Sequence, residues 1–293
     1  MAPAVIIDAH VHLYPPEVAR DPAGWARDAG ESHWAALCTR TRRDGRAVQS
    51  FPSVDELLRE MDAAGVARAV LLGWYWEKAE TCAWQNRFYA GCVQAHPDRL
   101  SGFATLYPAA GRETVLAELR RAHDEGLVGI GELSPHSQGY SIDDGTFGAV
   151  LALAGELAMP VNLHVTDPVS RPYPGRVETP LNDFVRLARA WPRTTFVLAH
   201  WGGLLPLVDA SARALGNVSY DTAASPLLYG ADVWTRFLSA VPHDRVLFGS
   251  DFPLNLYPQL DAQPRMARLI TEARGASAGD DVLGGNIARL LGE

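Results

Sequence analysis

Lysine is nearly absent from this chain of 293 residues: Lys78 is the single example among 26 basic residues. Chemistry that needs a lysine therefore has one candidate. Cysteine is also scarce. Cys38, Cys82 and Cys92 are odd in number and form no CxxC pair, which argues against a disulfide framework or a thiolate zinc site and fits a reducing compartment. No apolar run is long enough to span a membrane, and the longest, Phe147 to Gly155, ends at Glu156. Acidic residues outnumber basic ones, 34 against 26, for a net charge of −8. Neither nucleic acid nor an anionic membrane is an expected partner. The start, Met1-Ala2-Pro3-Ala4-Val5, lacks the basic stretch of a secretory leader, so a cytoplasmic location is expected.

What is present is a globular composition, 47% apolar and 20% charged. Short β-branched runs alternate with amphipathic stretches along the whole length. The runs are Val5–Ile7, Val66–Leu72, Leu100–Leu106, Leu127–Ile130, Val161–Leu163, Thr194–Leu198, Val218–Tyr220 and Arg245–Phe248. Such runs, bounded by turn residues, suit strands buried on both faces of a parallel sheet. Between them, Ser53 and Glu56 form a capping box for a helix through Met61, and Thr179-Pro180 predicts a cap and first-turn proline for a helix ending at Trp191. From Trp74 onward the strand ends recur every 21 to 36 residues, near the length of a strand-helix unit. Eight units predict an α/β fold, a parallel (β/α)8 TIM barrel, as one domain over residues 1–293. A doubly wound open sheet is the alternative, but the chain lacks the glycine-rich phosphate loop of such folds. The first interval is longer. Residues 14–51 form an insertion without clear periodicity, expected over the C-terminal face as a lid or subunit contact.

The strand ends carry the chemistry. His10 and His12 flank Val11, and the alternation of a strand points both imidazoles to one side, where they can share a metal ion. Glu132 ends the fourth strand, His164 the fifth, His200 the sixth and Asp251 the eighth. Barrel closure brings such tips around one axis. Taken singly, each has a plain structural explanation, such as a packed histidine, a helix cap or a salt bridge. Together they fall on one face.

The segments Ile7-Asp8-Ala9-His10-Val11-His12-Leu13, His164, Leu198-Ala199-His200-Trp201-Gly202-Gly203 and Phe248-Gly249-Ser250-Asp251-Phe252-Pro253 resemble the amidohydrolase superfamily. They are most similar to the amidohydrolase-related branch that includes aminocarboxymuconate semialdehyde decarboxylase. The closing Leu283-Gly284-Gly285-Asn286-Ile287-Ala288-Arg289-Leu290-Leu291 resembles that branch's last helix. The resemblance implies one divalent metal, Zn2+ by preference, on His10, His12, His164 and Asp251, with His200 as the acid/base residue. In the chemistry expected of such a site, Asp251 or His200 accepts the proton of the metal-bound water. Two-metal relatives bridge their ions with a carboxylated lysine or a glutamate from the fourth strand. Lys78 follows the second strand, so only Glu132 could bridge here, making His164 and His200 ligands of a second ion.

The expected activity is hydrolysis of a small cyclic or aromatic amide, lactone or ester by metal-activated water. The alternative is non-oxidative decarboxylation of an aromatic or unsaturated carboxylic acid at the same site. Trp74, Trp76 and Tyr107 are expected to wall the substrate, with His136 near Glu132, and Arg171 or Arg176 to receive a carboxylate. A small-molecule substrate and a second copy of the chain, as a homodimer, are the expected partners. An inactive barrel serving as a binding subunit is the reading from another class, and the complete donor set argues against it.

Overall fold

The computed structural model describes residues 5–257 and 265–293; residues 1–4, on which the leader expectation rests, lie outside them. Eight parallel strands follow one another in chain order: β1 (Ile7–Val11), β2 (Arg68–Leu71), β3 (Leu100–Ala104), β4 (Gly129–Leu133), β5 (Val161–Leu163), β6 (Phe196–Leu198), β7 (Val218–Asp221) and β8 (Val246–Leu247). The segment after β8 returns to β1. Ala9 N–H donates to the Phe248 carbonyl at 2.8 Å, Asp251 N–H to His10 at 2.9 Å, and His12 N–H to Phe252 at 2.7 Å. The sheet is therefore a (β/α)8 barrel, with helices between its strands.

β1 lies further along the chain than its β-branched run suggests. Residues 8–11 continue the ladder because they pair with β2 on one side and the β8 extension on the other. His10 is thus fixed within a strand, and His12 stands one residue beyond it.

The helix Val54–Ala64 opens on the expected capping box: Ser53 Oγ accepts from the Glu56 N–H at 3.3 Å, and the Glu56 carboxylate accepts from the Ser53 N–H at 2.8 Å. At Thr179-Pro180 the expectation is corrected. Pro180 itself occupies the cap position of helix Leu181–Ala190, while Thr179 Oγ1 accepts the Thr166 N–H at 2.9 Å and braces the loop after β5.

The insertion after β1 is more ordered than its sequence suggests. It contains helices α1 (Pro16–Arg20), α2 (Pro22–Ala29) and α3 (Ser32–Cys38), then a bridge between Thr41 and Ala47. Helices this short show too few turns for apolar periodicity to register. An aromatic cluster ties them to the barrel: Trp25 stacks on Trp84 at 5.3 Å and meets Trp34 and Trp76 edge-on. Gln49 also bridges Leu254 beyond β8, and the Asn255 N–H donates to Val48 at 2.9 Å. The insertion is a packed wall over one side of the barrel mouth. Among the described residues, no helix is long and apolar enough to cross a membrane.

Candidate metal centre

The donor residues converge at the C-terminal mouth as two triads, His10–His12–Asp251 and Glu132–His164–His200. In the first, His10 Nε2 lies 3.1 Å from His12 Nε2 and 3.7 Å from Asp251 Oδ1, and His12 Nε2 is 3.5 Å from the same oxygen. In the second, Glu132 Oε1 is 3.0 Å from His164 Nδ1 and 3.6 Å from His200 Nε2, and the two nitrogens are 3.3 Å apart. A tetrahedral zinc ion with bonds near 2.1 Å holds its donors about 3.4 Å apart. Both triads have that spacing.

Each imidazole has its outward nitrogen committed to an acceptor. His10 Nδ1 donates to Asp221 Oδ2 at 2.9 Å, His12 Nδ1 to the Leu72 carbonyl at 2.9 Å, and His200 Nδ1 to the Ala223 carbonyl at 3.3 Å. The Thr166 hydroxyl gives its proton to the Val177 carbonyl and so receives one from His164 Nε2 at 3.3 Å. These acceptors fix the tautomers. Four unprotonated nitrogens and two carboxylates then face one small space, an arrangement of mutually repelling lone pairs that a bound cation resolves. The donor set fits a divalent metal.

The titration of these groups follows the same logic. Burial works against a charge on His10, but Asp221, Glu132 and Asp251 outweigh it and raise the imidazole from 6.5 to about 10. The carboxylates demand a positive charge here, which a proton or a metal ion supplies. Burial and the neighbouring His10 lower His12 to about 3, and burial with His164 lowers His200 to about 4. Burial alone would raise Glu132, yet His164, His10 and His200 hold it well below the usual carboxylate range. Asp251 is pushed well above its ordinary value by burial, reinforced by Glu132 and Asp221.

Backbone conformation builds this mouth. His200, Trp201, Gly202, Gly203 and Leu204 all adopt left-handed φ of 56° to 62°, and Asp251 has φ of 68°. Non-glycine residues take this region at a cost, met here by surrounding structure that holds both side chains inward. Gly249 supplies clearance, since a Cβ there would sit 2.8 Å from the Cβ of His10.

The triads open into a cavity of about 970 Å³ whose walls include Trp74, Tyr75, Arg40, Arg42 and Arg171. Trp74 and Arg171 line it. Trp76 does not: it is fully buried in the aromatic cluster beneath the insertion and donates its indole N–H to Gln85 at 2.5 Å. Tyr107 lines a separate, smaller hollow with Cys82 and Thr114, and His136 is turned away to bond Asp183 at 3.0 Å. The Arg176 side chain is spent on Ser170 and Glu178. His164 lies with Glu132 and His200, the grouping expected for a second ion.

Sequence reasoning missed Asp221. Fully buried at the end of β7, it accepts from His10, from Asn162 Nδ2 at 3.0 Å and from the His200 N–H at 3.0 Å. Its position at a strand end was the available signal.

A family model described as "Amidohydrolase" matches residues 7–292. The chain belongs to the amidohydrolase family. Membership makes it an enzyme, a metal-dependent hydrolase or carboxy-lyase of the amidohydrolase type. Among curated proteins none matches the sequence. Solved structures share the amidohydrolase fold at low identity. The 5-carboxyvanillate decarboxylase LigW from Sphingomonas paucimobilis is 19% identical, with 98% of this chain and 99% of that one covered and a TM-score of 0.70. A 2,6-dihydroxybenzoate decarboxylase from Rhizobium is 19% identical, with 98% of each chain covered and a TM-score of 0.67. A probable 2-pyrone-4,6-dicarboxylic acid hydrolase from Acinetobacter baumannii is 16% identical, with 98% and 99% covered and a TM-score of 0.66.

Proposed function

We propose that this amidohydrolase hydrolyses a small cyclic or aromatic amide, lactone or ester that carries a carboxylate. The observation that carries this reading is the placement of Glu132. Its Oε1 belongs to the second triad, while its Oε2 lies 3.8 Å from His12 Nε2 in the first. One carboxylate thus spans two donor sets, as suits two neighbouring Zn2+ ions. His10, His12 and Asp251 would hold one, and Glu132, His164 and His200 the other. A divalent cation so held supplies Lewis acidity, acidifying an attacking water and polarising a carbonyl.

The chain's own groups do the rest. Asp251 offers Oδ1 to His10 and His12, leaving Oδ2 3.9 Å from His200 Nδ1. A carboxylate in that position would accept the proton of the attacking water and return it to the leaving group. Asp221 and the Leu72 carbonyl keep the two β1 imidazoles aimed. Trp74 covers a flat substrate from one side. Arg40, Arg42, Arg43 and Arg171 line the cavity without a carboxylate partner among the described residues, in a chain of net charge −8. They would draw in the substrate's carboxylate.

Those arginines equally favour a second reading, non-oxidative decarboxylation of an aromatic or unsaturated acid, the reaction named for two of the fold relatives. In that reading His200 or Asp251 protonates the carbon that loses CO2. Assays of matched lactones, amides and aromatic acids for hydrolysis and for CO2 release separate the two. Hydrolysis without CO2 release, lost in Glu132→Gln, supports the first reading; CO2 release without hydrolysis replaces it with the second.

A further inference from the structure

Tyr75 follows Trp74 on the segment leaving β2 and belongs to neither donor triad. The two rings stack with centroids 4.4 Å apart. Together they span both donor sets, for the Trp74 ring lies 5.4 Å from that of His12 and the Tyr75 ring 5.0 Å from that of His164. On its other side Tyr75 meets His33 of the insertion at 5.7 Å. Three rings from three parts of the chain, Trp74, His164 and His33, therefore fix its orientation.

The residue keeps only 2% of its surface, yet it lines the cavity. Its hydroxyl forms no hydrogen bond to any described residue. The hydroxyls of Tyr14, Tyr220, Tyr229 and Tyr257 are also unpartnered, but those are sealed within packing; that of Tyr75 is not among them. Packing alone would be satisfied by phenylalanine. A phenol O–H on a ring fixed against His164, without an acceptor among the described residues, is matched to an oxygen that arrives from outside.

We propose that the Tyr75 hydroxyl is the oxygen-recognising donor of this site. It donates to the carbonyl or carboxylate oxygen of the bound substrate and strengthens that bond as negative charge gathers on the oxygen. The proposal rests on the reading of the cavity as the substrate site.

The test compares wild type with Tyr75→Phe, both loaded with zinc, by calorimetric titration with benzohydroxamate, a flat ligand that presents two oxygens to a metal centre. Tyr75→Phe is expected to bind about tenfold more weakly or worse, with zinc content and melting temperature unchanged. On any lactone the enzyme turns over, the same change is expected to lower kcat by about 10² or more, with KM little altered. Equal affinity in the two proteins overturns the assignment while leaving the metal site standing. Equal binding to wild type and to His12→Ala shows instead that the metal-site reading has failed. No binding to wild type overturns both.

Discussion

Asp221 holds His10 by its outward nitrogen, with Oδ2 2.9 Å from Nδ1 and both side chains fully buried. The contact fixes the tautomer that leaves Nε2 bare, and the same carboxylate accepts the His200 N–H through its other oxygen. Asp221 thereby sets one imidazole in each triad without itself belonging to either. Asp221→Asn, which keeps the shape and removes the charge, is expected to weaken metal affinity about 10- to 100-fold. Competition with a chelator of known affinity measures this. An unchanged metal affinity would mean that the buried pair serves folding alone.

Removing the metal should be felt in stability. The metal-free centre crowds His10 Nε2 against His12 Nε2 at 3.1 Å, beside Asp251 and Glu132. A cation that binds only the folded chain stabilises by mass action, by about 2.7 kcal/mol at a hundredfold excess over its Kd. Chelation is expected to lower the melting temperature, and zinc to restore it, in wild type but not in His12→Ala.

His12 gives the metal-free protein a specific pH response. Burial and His10 hold it neutral, with a folded pKa of about 3 against 6.5 unfolded. Between those values the unfolded chain binds a proton that the folded chain does not, so this contribution to stability rises with pH. It is fully present above 6.5 and lost as pH falls toward 3. Metal-free wild type is therefore expected to lose stability from pH 7 to pH 4 more steeply than metal-free His12→Gln. Urea unfolding across that range provides the comparison; parallel curves would show that His12 is not buried in its neutral form.

Trp74 and Trp76, two residues apart, should fail differently. Trp76→Ala removes a fully buried ring from the cluster holding the insertion, with a cost of about 3–5 kcal/mol expected. Trp74→Ala opens a wall of the cavity beside His12 and is expected to act mainly on substrate affinity. Unfolding curves and KM values for the two variants distinguish the roles.

That contrast shows how far the sequence was legible. The barrel could be read because strands buried on both faces leave uninterrupted apolar runs, and donors at strand ends leave a polar residue directly after each run. His10, His12, Glu132, His164, His200 and Asp251 were visible in this way. Which donors meet in which triad was not, because that depends on side-chain direction at tips whose backbone is left-handed, as at His200 and Asp251. Asp221 ends its strand like the others, but its partners lie 211 positions away at His10 and 59 at Asn162. Trp74 and Trp76 share a strand-like face in sequence. Yet a tight turn, with the Trp76 N–H bonded to the Trp74 carbonyl at 2.9 Å, sends one to the cavity and the other under the insertion.

Elemental analysis of the purified protein after dialysis against zinc and then metal-free buffer bears most directly on the convergence of these donors. At least one ion per chain should be retained by wild type and most of it lost from His12→Ala, with both proteins folded by circular dichroism. A folded wild-type chain that retains no more zinc than the variant would contradict the account.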